Sequence, residues 1–137
     1  MSRAVLDCSV ALSWCFDDEA TPETHALLDR VRDEGAVVPS LWHLELSNVL
    51  LQAERRRRIS AEDAATRLDL FAALPISTDP ETMSRAWHDI LSIARVEGLT
   101  TYDAAYLELA VRRGVPLFTK DAVLVAAAGR RGVTVAP

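Results

Sequence analysis

The chain alternates between two periodicities, and that alternation limits the folds open to it. Ala4-Val5-Leu6 and Ala36-Val37-Val38 are short, wholly apolar triplets. Such triplets suit strands covered on both faces. Ile76-Ser77-Thr78, Val115 to Thr119 and Val133-Thr134-Val135 read as three more strands. At least one helical segment separates each successive pair. Strands joined that way run parallel, through right-handed crossovers. The expected architecture is therefore α/β, with a central, mostly parallel five-stranded sheet flanked by helices in three layers. One domain over residues 1–137 accounts for the whole pattern, and 137 residues can bury a core without staples.

The helices are bounded by recognisable signals. Val10 to Phe16 has helical spacing directly after the first strand. Thr21-Pro22-Glu23 reads as a cap, an N1 proline and a first-turn acid, and Gly35 stops that helix. Ser40 is expected to cap a third helix with apolar faces from Leu41, Leu44, Val49 and Leu51. Ser60 to Asp63 resembles a capping box for a fourth helix carrying Ala64, Leu68, Phe71 and Leu74. Asp79 reads as the N-cap of a helix with Met83, Trp87, Ile90, Leu91 and Ala94, ending at Gly98. Thr100 or Thr101 caps the next, and Gly129 is expected to close a last one over Ala122 to Ala128.

Composition excludes some roles. The longest apolar run, Ala122 to Ala128, falls far short of the roughly 20 residues of a membrane span. No basic segment followed by an apolar one opens the chain, so a cytoplasmic location is expected. Net charge is −5, so long duplex nucleic acid is not held by charge alone. All fifteen basic residues except Lys120 are Arg. Arg55-Arg56-Arg57-Arg58 suits a solvated helix end, with RNA or an acidic partner as the other reading. Cys8 and Cys15 are free thiols on this reading: on one helix they would lie about 10 Å apart, too far for a disulfide. No Cys/His cluster has zinc spacing.

The topology makes a statement about carboxylates. Asp7 falls just past the first strand and Asp121 just past the fourth. Glu45 and Asp103 fall in the first turns of helices that begin at the same sheet edge. In open α/β sheets that carboxyl edge collects ligand chemistry. Like charges so gathered raise one another's pKa or require a cation. Oxygen donors without His or Cys point to Mg²⁺ or Mn²⁺, and such a site suits phosphodiester hydrolysis. Asn48 shares a helix face with Glu45. Tyr102 and Tyr106 share a face beside Asp103, for packing, a dimer contact or base stacking. Trp14, Trp42 and Trp87 are expected in the core. His25, His43 and His88 have no ligand spacing.

Several segments together resemble one family. They are Val5 to Trp14, Pro39 to Leu50 with Glu45 and Asn48, Gly98 to Leu107 with Thr101-Tyr102-Asp103-Ala104-Ala105-Tyr106, Pro116 to Leu124 and Gly132 to Val135. Over nearly its full length the chain is similar to PIN-domain ribonucleases, and specifically to the VapC toxins of bacterial toxin–antitoxin modules. The resemblance implies a PIN-like fold and a metal-dependent endoribonuclease acting on RNA. Asp7 and Asp103 would be the principal ligands of Mg²⁺ or Mn²⁺, and Glu45 and Asp121 would complete the cluster directly or through water. Ser9 and Thr119 would orient those acids. It also implies a homodimer, and inhibition by a cognate VapB-type antitoxin in a higher hetero-oligomer. Cys8 departs from the small residue usual there. Two readings from other classes fit parts of the pattern: a non-catalytic domain whose acids grip a basic partner, and a receiver-like phospho-signalling domain.

Overall fold

The computed structural model describes residues 3–137. The elements run β1 (Ala4–Leu6), α1 (Cys8–Ser13), α2 (Pro22–Glu34), β2 (Ala36–Val38), α3 (Trp42–Arg55), α4 (Ala61–Ala72), β3 (Ile76–Thr78) and α5 (Thr82–Arg85). A π-helical turn over Ala86–Ile90 leads into α6 (Leu91–Glu97), followed by α7 (Thr101–Arg113), β4 (Leu117–Phe118), α8 (Ala122–Arg130) and β5 (Val135–Ala136). The sheet has five strands in the order β3-β2-β1-β4-β5. Every pairing is parallel. The chain builds outward from β1 to β3, then crosses back to place β4 on the other side of β1. Strand order therefore reverses between β1 and β4, where open α/β sheets form a ligand crevice.

Local chemistry sets most boundaries. Thr21 and Thr24 satisfy each other at the start of α2, with Thr24 N–H on Thr21 Oγ1 at 3.1 Å and Thr21 N–H on Thr24 Oγ1 at 2.9 Å. Ser60 and Asp63 do the same for α4, at 3.0 and 3.1 Å. Gly35 ends α2 at φ 82°, and a Cβ there would lie 2.9 Å from the Pro75 carbonyl oxygen. Only glycine allows both that backbone and that approach.

The core fills both faces of the sheet. Val5, Leu6, Val37, Leu117 and Phe118 are buried from the strands, and Val10, Val31, Leu46, Leu50, Tyr106, Leu107 and Leu124 from the helices. Each such aliphatic side chain contributes about 1.5–3 kcal/mol of transfer free energy.

Several expectations shift. Ser40 does not cap α3, whose N-cap is Leu41. The sheet-facing stripe of α3 is Trp42, Leu46, Leu50 and Ala53, while Leu44, Val49 and Leu51 face outward. α3 carries two apolar stripes, and the one holding the bulky indole took the core. Leu44, Leu51 and Leu68 instead line a groove of about 670 Å³ between α3 and α4. Trp14 is half-buried and Trp42 buried, but Trp87 is 85% exposed. The π turn inserts one residue, so the face bearing Met83 and Trp87 rotates away from the stripe of Ile90, Ile93 and Ala94. Helix α8 runs through Gly129 to Arg130. Both thiols are free and buried, with Cys15 beyond the end of α1.

Asp79 is structural: its Oδ2 accepts the Glu81 N–H at 3.2 Å, as a capping side chain does, although the helix proper starts only after Glu81. The Asp79 side chain is fully buried and receives Arg112 Nη2 at 2.8 Å and Arg113 Nη2 at 2.9 Å. Those bonds hold its carboxyl down at about 2. Arg112 is also pinned by Glu108 at 2.7 Å. This cluster fastens the end of α7 to the chain leaving β3.

Candidate active site

The backbone of Asp7 adds one rung beyond β1, its N–H bonding the Phe118 carbonyl at 3.0 Å. That places its side chain in the crevice where β1 and β4 part. It is only 7% exposed. Thr119 Oγ1 donates to Asp7 Oδ2 at 2.7 Å and Ser9 Oγ donates to the same oxygen at 2.9 Å. Ser9 Oγ in turn accepts the Lys120 N–H at 2.8 Å, and Thr119 Oγ1 accepts the Asp121 N–H at 3.1 Å. Each hydroxyl has one proton and both protons go to Asp7, so the 3.3 Å approach of the two hydroxyls carries no bond of its own. Burial raises the Asp7 pKa and the charge of Asp121 adds to the rise, against the pull of the two hydroxyls.

Glu45 enters from the first turn of α3. Its Oε1 receives the Tyr106 hydroxyl at 2.5 Å. Burial raises its pKa; the Tyr106 bond opposes this, and the charges of Asp7 and Asp103 reinforce it. Tyr106 is 0% exposed, and desolvation holds its phenol protonated far above the ordinary range. Cys8 Sγ lies 3.8 Å from the phenol oxygen and donates to the Trp42 carbonyl at 3.7 Å.

Asp103 lies in the first turn of α7, where the Thr100 side chain accepts its N–H at 3.1 Å. Its pKa is raised by burial, then by Asp121 and Asp7. Asp121 caps α8, its Oδ1 accepting the N–H groups of Val123 and Leu124 at 2.9 and 3.1 Å. Its other carboxylate oxygen takes no part in the cap.

The four acids thus come from four segments to one edge, close enough that Asp7 raises Glu45 and Asp103 while Asp121 raises Asp7 and Asp103. Among the described residues, none of the four forms an ion pair, although the chain has fourteen Arg and most of those described pair elsewhere. Among the same residues, no three or more His, Cys, Asp or Glu side chains are grouped to hold one metal ion between them. The acids form an electrostatic cluster, not a closed cage. That donor set still fits a hard divalent cation. All the donors are oxygens, they lack internal neutralisation, and Mg²⁺ binds through one or two carboxylates while keeping its waters.

The remaining candidates divide. Ser9 and Thr119, which the family resemblance assigns to orienting the acids, both donate to Asp7. Asn48 is exposed and lines the α3–α4 groove with Glu45. Arg58 is exposed too, but its guanidinium is tied down, 3.8 Å from the Phe16 ring centroid and paired with Asp18 and Glu19. Arg55, Arg56 and Arg57 are exposed. Sequence reasoning put Tyr102 and Tyr106 together; the structure separates them. Tyr106 is a buried partner of Glu45, and Tyr102 is 65% exposed beside Asp103. The signal for Tyr106 was its position three residues after Asp103, on the same helix face, but nothing in the sequence pointed it at Glu45.

The PIN domain family model matches residues 4–130. Ribonuclease VapC12 of Mycobacterium tuberculosis is 29% identical over 126 residues, spanning 91% of this chain and 92% of that protein. Ribonuclease VapC3 of Pyrobaculum aerophilum is 25% identical over 123 residues, spanning 87% and 89%. Among solved structures, that of PAE2754 from Pyrobaculum aerophilum superposes with a TM-score of 0.70 at 24% identity, covering 97% of this chain and 83% of that one. That last likeness concerns the fold.

Proposed function

The chain belongs to the PIN domain family, and on that premise we propose that it is a VapC-type toxin. It is an endoribonuclease that hydrolyses RNA phosphodiester bonds with Mg²⁺ or Mn²⁺ and is neutralised by a VapB-type antitoxin. One feature supports the reading: Asp7, Glu45, Asp103 and Asp121 come from distant segments that meet at the carboxyl edge of the sheet, and among the described residues none of the four is paired with a counter-charge. Stability alone gives no reason to keep them, because like charges that are buried, as Asp7 is, or partly withdrawn from water cost free energy.

Asp7, Glu45, Asp103 and Asp121 would hold the cation, directly or through water. A bound divalent ion supplies charge neutralisation at the scissile phosphate and makes a water acidic enough to yield hydroxide at neutral pH. The chain's own residues prepare the site. Ser9 and Thr119 both donate to one Asp7 oxygen, Oδ2, and fix the carboxylate through it. Asp121 spends one oxygen on α8 and keeps one for the site. Lys120 is exposed between Thr119 and Asp121, where its ammonium can meet a flanking phosphate. Tyr102, exposed beside Asp103, offers a ring for base stacking. A protein of net charge −5 needs such local grips, and an unpaired RNA segment suits them.

The α3–α4 groove, lined by Leu44, Leu50, Leu51, Ala64 and Leu68 and reaching Glu45, suits an amphipathic antitoxin helix that delivers a basic side chain to the acids. The exposed Met83 and Trp87 support self-association as a homodimer. No helix among the described residues is long and apolar enough to cross a membrane.

The test is cleavage of structured RNA by the purified protein. Activity should need Mg²⁺ or Mn²⁺, vanish with EDTA and fall by at least about 10²-fold in Asp103→Asn. Full activity in EDTA would overturn the reading. Binding of a basic partner with no RNA cleavage under any divalent ion would favour the acidic partner-binding alternative.

A further inference from the structure

We infer that Tyr106 is the positioning residue of the site: a buried phenol on α7 that clamps Glu45 of α3 in the orientation the carboxylate cluster needs. The inference rests on the nuclease reading for its purpose, and on geometry for its existence.

Glu45 is a half-buried residue on a helix whose neighbours Leu44 and Asn48 face solvent. Its side chain has three rotatable bonds, and water competes for both oxygens. The like charges of Asp7 and Asp103 disfavour its ionised form there. Left alone, it would swing toward the α3–α4 groove, which it also lines. Tyr106 prevents that. Its ring is wholly enclosed and its hydroxyl donates to Glu45 Oε1 at 2.5 Å. Cys8 fills the remaining side of the phenol oxygen, and its own thiol proton goes to the Trp42 carbonyl. The phenol proton goes to the carboxylate oxygen at 2.5 Å rather than to the sulfur at 3.8 Å, which is the weaker acceptor. Oε1 is occupied, so Oε2 is the oxygen left for a cation.

The contact also joins elements. Glu45 lies on α3, Tyr106 shares α7 with Asp103, and Cys8 follows Asp7 directly. One phenol thus ties together the three segments that carry three of the four acids. A phenylalanine keeps the packing and loses only the bond.

The experiment compares wild type, Tyr106→Phe, Glu45→Ala and the double variant, each as full-length protein. The first readout is urea unfolding in EDTA. If the tether exists, the two single shifts in midpoint do not sum to that of the double variant. If they sum, the inference is overturned. The second readout is Mn²⁺ binding without RNA, by calorimetry, far below the unfolding temperature. Orientation of a ligand by such a partner is worth roughly 10–100-fold in affinity, so Tyr106→Phe should weaken binding by that factor. A merely structural tyrosine would shift the urea midpoint and leave Mn²⁺ affinity unchanged, and that pattern would also overturn the inference. A third readout is kinetic: kcat should fall in Tyr106→Phe while KM for RNA stays within about twofold. Should wild type neither bind Mn²⁺ nor cleave RNA, the nuclease reading fails, and the EDTA cycle alone still decides whether Tyr106 holds Glu45.

Discussion

Thr119 donates its hydroxyl to Asp7 Oδ2 at 2.7 Å, joining residues 112 positions apart in the chain. The pair spans β1 and β4, the two strands between which the sheet order reverses. The same Thr119 oxygen accepts the Asp121 N–H, so one hydroxyl sets the relation between two of the four acids. Thr119→Val keeps shape and removes both bonds. It should lower stability by about 1–3 kcal/mol, since it strips a donor from a buried carboxylate. It should also lower kcat roughly 10-fold or more with little change in RNA binding. Denaturant unfolding and steady-state cleavage, run on the same preparations, check both.

A cation that binds only the folded cluster must stabilise the protein by mass action. At a hundred times its Kd, Mn²⁺ should add about 2.7 kcal/mol, a shift of several degrees in Tm. Asp7→Asn and Asp103→Asn should lose most of that shift. Both variants should be more stable than wild type in EDTA, because each removes a charge whose pKa burial and repulsion have raised. Differential scanning fluorimetry with and without Mn²⁺ reads the two effects together.

The pH dependence has two opposing parts. Asp7, Glu45 and Asp103 titrate above their ordinary values, so the native protein retains protons that the unfolded chain releases. Their contribution to stability is complete below the ordinary carboxylate pKa and is lost as pH rises through the raised values. In EDTA, the urea midpoint should therefore fall as pH rises above the ordinary carboxylate range and through the raised values. The fall should be smaller in Asp7→Asn. A midpoint that rises steadily from acid to neutral pH would contradict the assignment.

Asp79 acts in the other direction. Its pKa is held from 3.8 down to about 2, so its contribution is present above the ordinary value and disappears as pH falls through the lowered one. Asp79→Ala leaves the Arg112 guanidinium, only 16% exposed, short of its main partner, with Arg113 also released. The expected loss is about 3 kcal/mol, the scale for breaking a buried ion pair. Unfolding at pH 7 should show that loss, and RNA cleavage at low temperature should survive it, because Asp79 lies outside the carboxylate cluster.

Much of this protein is written in local pattern. Apolar triplets separated by helical segments determine a parallel α/β sheet, because such connections leave no antiparallel alternative. Parallel topology then brings Asp7, Glu45, Asp103 and Asp121 to one edge before any coordinate is known. Caps such as Thr21 and Ser60 act within four residues and are equally legible. Tertiary structure alone decided the rest. Sequence spacing does not say which of two apolar stripes on α3 meets the sheet, because both have helical period and only packing volume chooses. A π turn is invisible to a 3.6-residue pattern, so Trp87 reads as core and stands in solvent. Tyr102 and Tyr106 look equivalent on one helix face, yet one is a free ring and the other grips Glu45. The capping bond of Asp79 to the Glu81 N–H is local and legible, but its guanidinium partners lie more than thirty residues away and are not. Short-range periodicity dictates which elements form and which edge they share; pairwise contacts between distant side chains depend on how those elements pack, and no local rule carries that information.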